Sequence, residues 1–247
     1  MRARTHPPPW SAVLLLAAAV LGAAGPALAA ELRGRVELVN EDGKLTPGVH
    51  QAVVYFTPGV ATPGVATPSV ASPGGSRPGG PDAEPFEIVT VRKDFQPQVL
   101  PVPLGATVAF PNEDPILHNV FSVSGRNRFD LGLYRGGESK STTFEAPGVV
   151  QVFCNVHHSM AAYVLVLETP YFARPETSGA FVVGDLPAGP GTLTVWHAQT
   201  ETWTREIEVP AAEAPAIRLE IVRKRVQKHT NKFGKPYSRN RRGKDYD

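Results

Sequence analysis

Cys154, His157 and Met160 stand three residues apart in the segment Cys154-Asn155-Val156-His157-His158-Ser159-Met160, and His118-Asn119-Val120 lies upstream. A thiolate, imidazole nitrogens and a thioether make a soft, mixed donor set. Two nitrogens and a thiolate in a trigonal plane, with a weak axial thioether, suit copper moving between Cu(I) and Cu(II). A cysteine at a strand end, followed by donors three and six residues on, lets one tight loop carry three donors while a neighbouring strand brings the fourth. Other chemistries use less of this pattern. Structural zinc usually takes more cysteines or histidines, and a catalytic zinc site does not select methionine. The Cys-x-x-Cys-His of a c-type haem is absent. A cysteine hydrolase with Cys154 as nucleophile and His118 or His157 as base leaves Met160 and the second imidazole unexplained. The plain alternative is a buried structural cysteine with histidines nearby by chance.

The elements that position these residues follow from composition. The chain has 247 residues, of which 23 are Gly and 25 Pro, with 42% apolar and 19% charged residues. So many turn formers predict short strands joined by turns and argue against a helical bundle. The net charge of +2 conceals three zones: +2 over residues 1–30, −8 over 31–222 and +8 over 223–247.

Residues 1–29 carry Arg2 and Arg4, an apolar run from Ala12 to Ala24, and Ala27-Leu28-Ala29. This is the pattern of a signal peptide cleaved after Ala29. A run of about thirteen apolar residues is shorter than the roughly twenty that span a bilayer. The expectation is a periplasmic or secreted protein with no transmembrane segment after cleavage. In that setting the lone Cys154 can form no internal disulfide, and it is safe from oxidation when buried, paired between chains or held by a metal. At the other end, 223–247 holds ten Lys and Arg residues and hardly any aliphatic side chains after Val226, which predicts a basic disordered tail. Export argues against nucleic acid as its partner. An acidic protein or an anionic membrane surface is the expected partner if the tail has one. Because no candidate ligand lies beyond Met160, loss of the tail is expected to leave the metal centre unchanged.

Between the ends, Thr-Pro-Gly-Val-Ala recurs from residue 57 and runs into a Gly/Pro stretch, so 57–85 is predicted to be a linker. About seven strand-like segments with turn signals between them follow over 86–168, a spacing that fits a sandwich or small barrel. Further strand-like segments occupy 30–56 and 169–222. The fold class is all-β throughout.

Phe110-Pro111-Asn112-Glu113-Asp114-Pro115-Ile116-Leu117-His118-Asn119-Val120 resembles the first-ligand segment of plastocyanin-like cupredoxins, and Cys-x-x-His-x-x-Met resembles the short ligand loop of amicyanin. The likeness covers 86–168. It implies a Greek-key sandwich with one type 1 copper ion held by His118, Cys154, His157 and axial Met160. His158 is left facing solvent. Asn119 matches the asparagine that ties the two ligand loops together in that family. The flanking segments, ending in Ser178-Gly179-Ala180-Phe181-Val182-Val183-Gly184-Asp185-Leu186-Pro187-Ala188-Gly189, resemble a carboxypeptidase-regulatory-like (transthyretin-like) β-sandwich. That implies a second, discontinuous sandwich from 30–56 and 169–222, interrupted by the linker and the cupredoxin. The whole resembles methylamine-utilisation-type cupredoxins.

The function implied is an exported carrier of single electrons between redox proteins, not an enzyme. A partner would approach an exposed edge of His157 across apolar surface that includes Val120 and Phe121. Seven histidines, His6 among them, are too few for the additional cluster of a multicopper oxidase. The alternative is a structural or adhesive β-sandwich protein that binds copper without transferring electrons. Trp196-His197 reads as a packed tryptophan beside a satisfied histidine, and Tyr134 is expected near the copper end. His50 and His229 receive no role.

Overall fold

The computed structural model describes residues 30–59, 86–211, 214–222 and 229–235. The segments expected to be a signal peptide and most of the linker lie outside the described residues, as do 223–228 and 236–247 of the basic tail. The fold is all-β, with seventeen strands and two short 3-10 turns among the described residues.

Strand pairing separates the chain into two sets. Within 86–167, Val99–Pro103, Ala161–Leu167, Gly148–Phe153, His118–Ser122 and Phe129–Tyr134 form a five-stranded sheet, in that spatial order. Ser139–Thr143, Thr107–Pro111 and Phe86–Glu87 form a three-stranded sheet. The inward side chains of both, including Val102, Val108, Phe110, Val120, Phe144, Val152 and Val164, make one apolar core. The flanking segments form a second pair of sheets. Ala180–Leu186, Ala30–Val39 and Ile217–Glu220 make three strands, and Phe172–Ala173, Val53–Pro58, Gly189–Trp196 and Trp203–Val209 make four. Their core holds Leu32, Phe56, Phe181, Leu193 and Leu219.

The chain leaves the second set after Val53–Pro58 and returns to it beside the point of departure. Phe56 N donates to Tyr171 O at 2.9 Å, and Thr169 Oγ1 donates to Phe56 O at 2.6 Å. The sets meet along Ala161–Leu167, all seven of whose residues are buried. Ala162, Val164 and Val166 face the first core, while Tyr163, Leu165 and Leu167 pack with Val53 and Val99. A strand covered on both faces carries a continuous apolar run in place of alternation, which is what this segment does. Among the described residues, no helix is long and apolar enough to cross a membrane.

Candidate metal centre

Two turns at one end of the five-stranded sheet deliver the donors. Cys154 follows the last residue of Gly148–Phe153, and Met160 precedes Ala161–Leu167, its antiparallel neighbour. Pairing of Phe153 with Ala161 pins the ends of the intervening loop. Inside it Met160 N donates to His157 O at 3.2 Å and Cys154 N to Met160 O at 3.4 Å, so the loop closes on itself. His118 opens the neighbouring strand His118–Ser122, opposite Tyr134. Asn112 shapes the loop before it: its Oδ1 accepts from Asp114 N at 3.0 Å, and its Nδ2 donates to Ile116 O at 2.9 Å.

His118 and Cys154 are fully buried and His157 is 6% exposed. The Nδ1 atoms of the two histidines are 3.1 Å apart, and Cys154 Sγ lies 3.8 Å from each. A point equidistant from all three is about 2.1 Å from each atom, inside the about 2.0–2.3 Å range of metal bonds to nitrogen and sulfur. These three residues form a group whose ligand atoms could hold one metal ion. Met160 is fully buried in the same apolar core as Cys154. The neighbouring His158 is exposed.

The electrostatics suit His118 to act as a nitrogen donor through Nδ1. Its Nε2 lies 2.9 Å from Asp114 Oδ2, which places the proton on Nε2 and leaves the Nδ1 lone pair facing Cys154 and His157. Partial burial works against the charge of Asp114. The backbone N–H groups of Lys93 and Arg92, with His118, outweigh it and hold the carboxyl below the usual carboxylate range. Burial depresses the His118 pKa in spite of Asp114, a direction that favours the neutral ring. Tyr134 lies in the same core; burial, reinforced by the nearby Cys154, pushes its hydroxyl well above its ordinary value, and the hydroxyl donates to Phe110 O at 2.9 Å.

Some surroundings differ from the sequence expectation. Asn119 does not reach the cysteine loop through its amide: Nδ2 donates to Asp130 Oδ1 at 2.7 Å and to Gly132 O at 3.0 Å, while Oδ1 is buried with no hydrogen-bond partner among the described residues. Val120 and Phe121 are fully buried in the sheet and offer no docking surface. The exposed apolar side chains next to the candidate ligands in the chain are Ile116, Leu117 and Val156, with Leu133 opposite Asn119. Asp114 was in plain view four residues before His118, a spacing that a loop can fold into a carboxylate–imidazole pair. Lys232 and His229 carried no such signal, yet the structure sets both beside the cysteine loop. His197 is buried as expected, but only half of its ring is satisfied: Nδ1 accepts from Gln199 N at 3.3 Å, while Nε2 has no hydrogen-bond partner among the described residues.

No family model and no curated protein matches the chain. Similar solved structures include a reduced Cu(I) form of an amicyanin variant, at 23% identity over 34% of this chain and 82% of that one, with a TM-score of 0.32. A Cu-containing nitrite reductase (NirK) from Thermus scotoductus SA-01 is similar at 27% identity over 44% of this chain and 27% of that one, with a TM-score of 0.34.

Proposed function

We propose that the protein is an exported type 1 copper protein that carries single electrons between redox proteins, with His118, Cys154, His157 and Met160 as ligands. The observation that carries this reading is the convergence of one thiolate and two imidazole Nδ1 atoms in a buried triangle of metal-binding size. A bound copper ion would supply a one-electron couple whose two states both accept a trigonal nitrogen and sulfur environment.

The residues of the chain do the rest. The strand pair on either side of the cysteine loop fixes three donors before any ion arrives, so little of the site must rearrange between oxidation states. Asp114 holds the His118 proton on Nε2, and the apolar core around Cys154 and Met160 excludes water. His157 is the ligand with an edge at the surface, although a narrow one at 6% exposure, and Leu117, Val156 and Leu133 supply apolar area for transient docking. No substrate bond is made or broken, so the protein is a carrier and not an enzyme. The segment 86–168 is then the cupredoxin domain, set into a carboxypeptidase-regulatory-like sandwich built from 30–56 and 169–222. The separate cores and the adjacent points of departure and return support that division. The basic tail would favour an acidic partner or an anionic surface.

The test is to load the full-length protein with Cu(II). An intense visible thiolate-to-copper band, absent in a folded Cys154→Ser variant, together with a reversible reduction wave, is the expected result. A colourless complex that takes up zinc as readily as copper would overturn the type 1 assignment. A coloured complex with slow, irreversible electrochemistry would overturn the carrier role.

A further inference from the structure

Residues 229–235 lie against the chain neighbours of the candidate ligands. The His229 ring stacks on Phe153, with centroids 3.8 Å apart and planes within 5° of parallel, and Phe153 immediately precedes Cys154. Lys232 N donates to Asn155 Oδ1 at 3.2 Å, and Asn155 immediately follows Cys154. Lys232 Nζ donates to Asp130 Oδ2 at 2.8 Å. The other carboxylate oxygen of Asp130 accepts from Asn119 Nδ2, and Asn119 immediately follows His118. The segment is held in a tight turn, because Asn231 Oδ1 accepts from the amides of Phe233 and Lys235, and Asn231 N donates to Lys235 O.

We infer that Lys232 is a positioning residue for the metal centre, joining the segment that carries His118 to the loop that carries Cys154 through a chain of hydrogen bonds from Asn119 to Asp130, Lys232 and Asn155. The inference rests on the copper reading above. Strand pairing already links the two segments at Phe121 and Phe153. Nearer the ligands, Asn119 spends both of its amide hydrogens on Asp130 and Gly132, and its oxygen has no partner among the described residues. On the Asn119 side of the site, a hydrogen-bonded tie between the two loops runs through Lys232. One residue supplies both contacts, its main-chain N–H to the cysteine loop and its ammonium to Asp130, so its own covalent geometry fixes one anchor relative to the other. The ligand positions alone made loss of the tail silent; this contact makes it consequential.

Partial burial of Asp130 works against its charge, and Lys232, Gly132 and Asn119 outweigh it and hold the carboxyl below its usual range. The Lys232 side chain is 25% exposed and that of Asp130 is 40% exposed, so the ion pair is partly screened and weakens as salt rises. Its value lies in direction more than strength: a charged hydrogen bond at this place restricts how far the Asn119 side of the site can drift from the Asn155 side.

The experiment uses the full-length protein and the variants Lys232→Met, Lys232→Arg and Asp130→Asn. Loaded with Cu(II), Lys232→Met is expected to release copper to a chelator faster than the wild type, by no more than about tenfold, because removing a group bonded directly to a metal ligand lowers affinity about ten- to a hundredfold and Lys232 lies one bond further out, and to shift the relative intensities of the thiolate-to-copper bands. Lys232→Arg, which can still meet Asp130, restores the wild-type spectrum. Combining Lys232→Met with Asp130→Asn adds nothing to the faster single variant, because both break the same link. Hydrogen exchange of the metal-free protein gives a readout independent of copper: amides of residues 154–160 exchange faster in Lys232→Met. Unchanged release, spectrum and exchange in that variant overturn the proposal. If the wild type takes up no copper, the metal reading fails, and exchange at 154–160 alone decides whether Lys232 positions the loop.

Discussion

Replacing Asp114 by Asn removes one negative charge and one acceptor while keeping the size of the side chain, so its consequences follow from the hydrogen bonds that Asp114 makes. Oδ1 accepts from Arg92 N at 2.6 Å. Oδ2 accepts from Lys93 N at 2.8 Å and pairs with His118 Nε2 at 2.9 Å. An asparagine has a single oxygen for these three donors. Turned toward Arg92, it sets its NH2 against two donors and drives the His118 proton to Nδ1, the atom that faces Cys154 and His157. Turned toward Lys93 and His118, it leaves one N–H, that of Arg92, facing an NH2. The second orientation is favoured, and its cost is that of one unsatisfied donor, about 1–3 kcal/mol of folding stability. The imidazole also loses the carboxylate that raises its basicity as a ligand, which lowers metal affinity by about ten- to a hundredfold. Urea unfolding of the metal-free protein and competition with a copper chelator measure the two effects separately. Wild-type stability and wild-type affinity in Asp114→Asn would refute the assignment of Asp114 as the residue that orients His118.

Burial, reinforced by nearby His50, outweighs the Gly48 carbonyl and pushes the pKa of His197 down to about 4, whereas a histidine in the unfolded chain titrates near about 6.5. As pH falls the unfolded chain takes up this proton first, so the contribution is intact above about 6.5 and drains away by about 4, amounting to about 3 kcal/mol. His197→Gln is expected to flatten that part of the stability curve in urea titrations at stepped pH; the same slope with and without the imidazole would sink the argument. At Gly136 an added Cβ would collide with Asp114 O, a backbone atom that cannot swing aside. Gly136→Ala is therefore expected to displace the loop before His118, costing on the order of 1–3 kcal/mol and weakening metal uptake. A melting temperature equal to that of the wild type would show that the loop moves freely.

The strand order and the candidate donors were differently legible in the sequence. Cys154, His157 and Met160 share one loop, and covalent geometry alone keeps them within a few residues of one another, so their spacing was enough to suggest a common site. The Gly and Pro content and the short apolar segments likewise indicated strands, because turn residues and alternation act over a few positions. The continuous apolar run of Ala161–Leu167 also read as a strand, although it offers no alternation, since that strand is covered on both faces. His118 is 36 residues from Cys154, and its place beside the loop depends on two strands pairing in one register, which donor chemistry and a resemblance suggest but spacing does not fix.

What the sequence determined by itself was the chemistry on offer: an all-β chain with one thiol, and a thiolate, imidazole and thioether set at loop spacing. The tertiary structure decided which groups surround that set and how they act on it. The pairing of Asp114 with His118 fixes a tautomer, and the burial of Val120 and Phe121 moves the exposed apolar surface to Leu117, Leu133 and Val156. The Lys232 contacts join positions 77 and 102 residues apart. Local spacing is set by bonds and short turns, which any reader of the chain can count; contacts across such separations arise from the packing of whole sheets, and no short stretch of sequence encodes them.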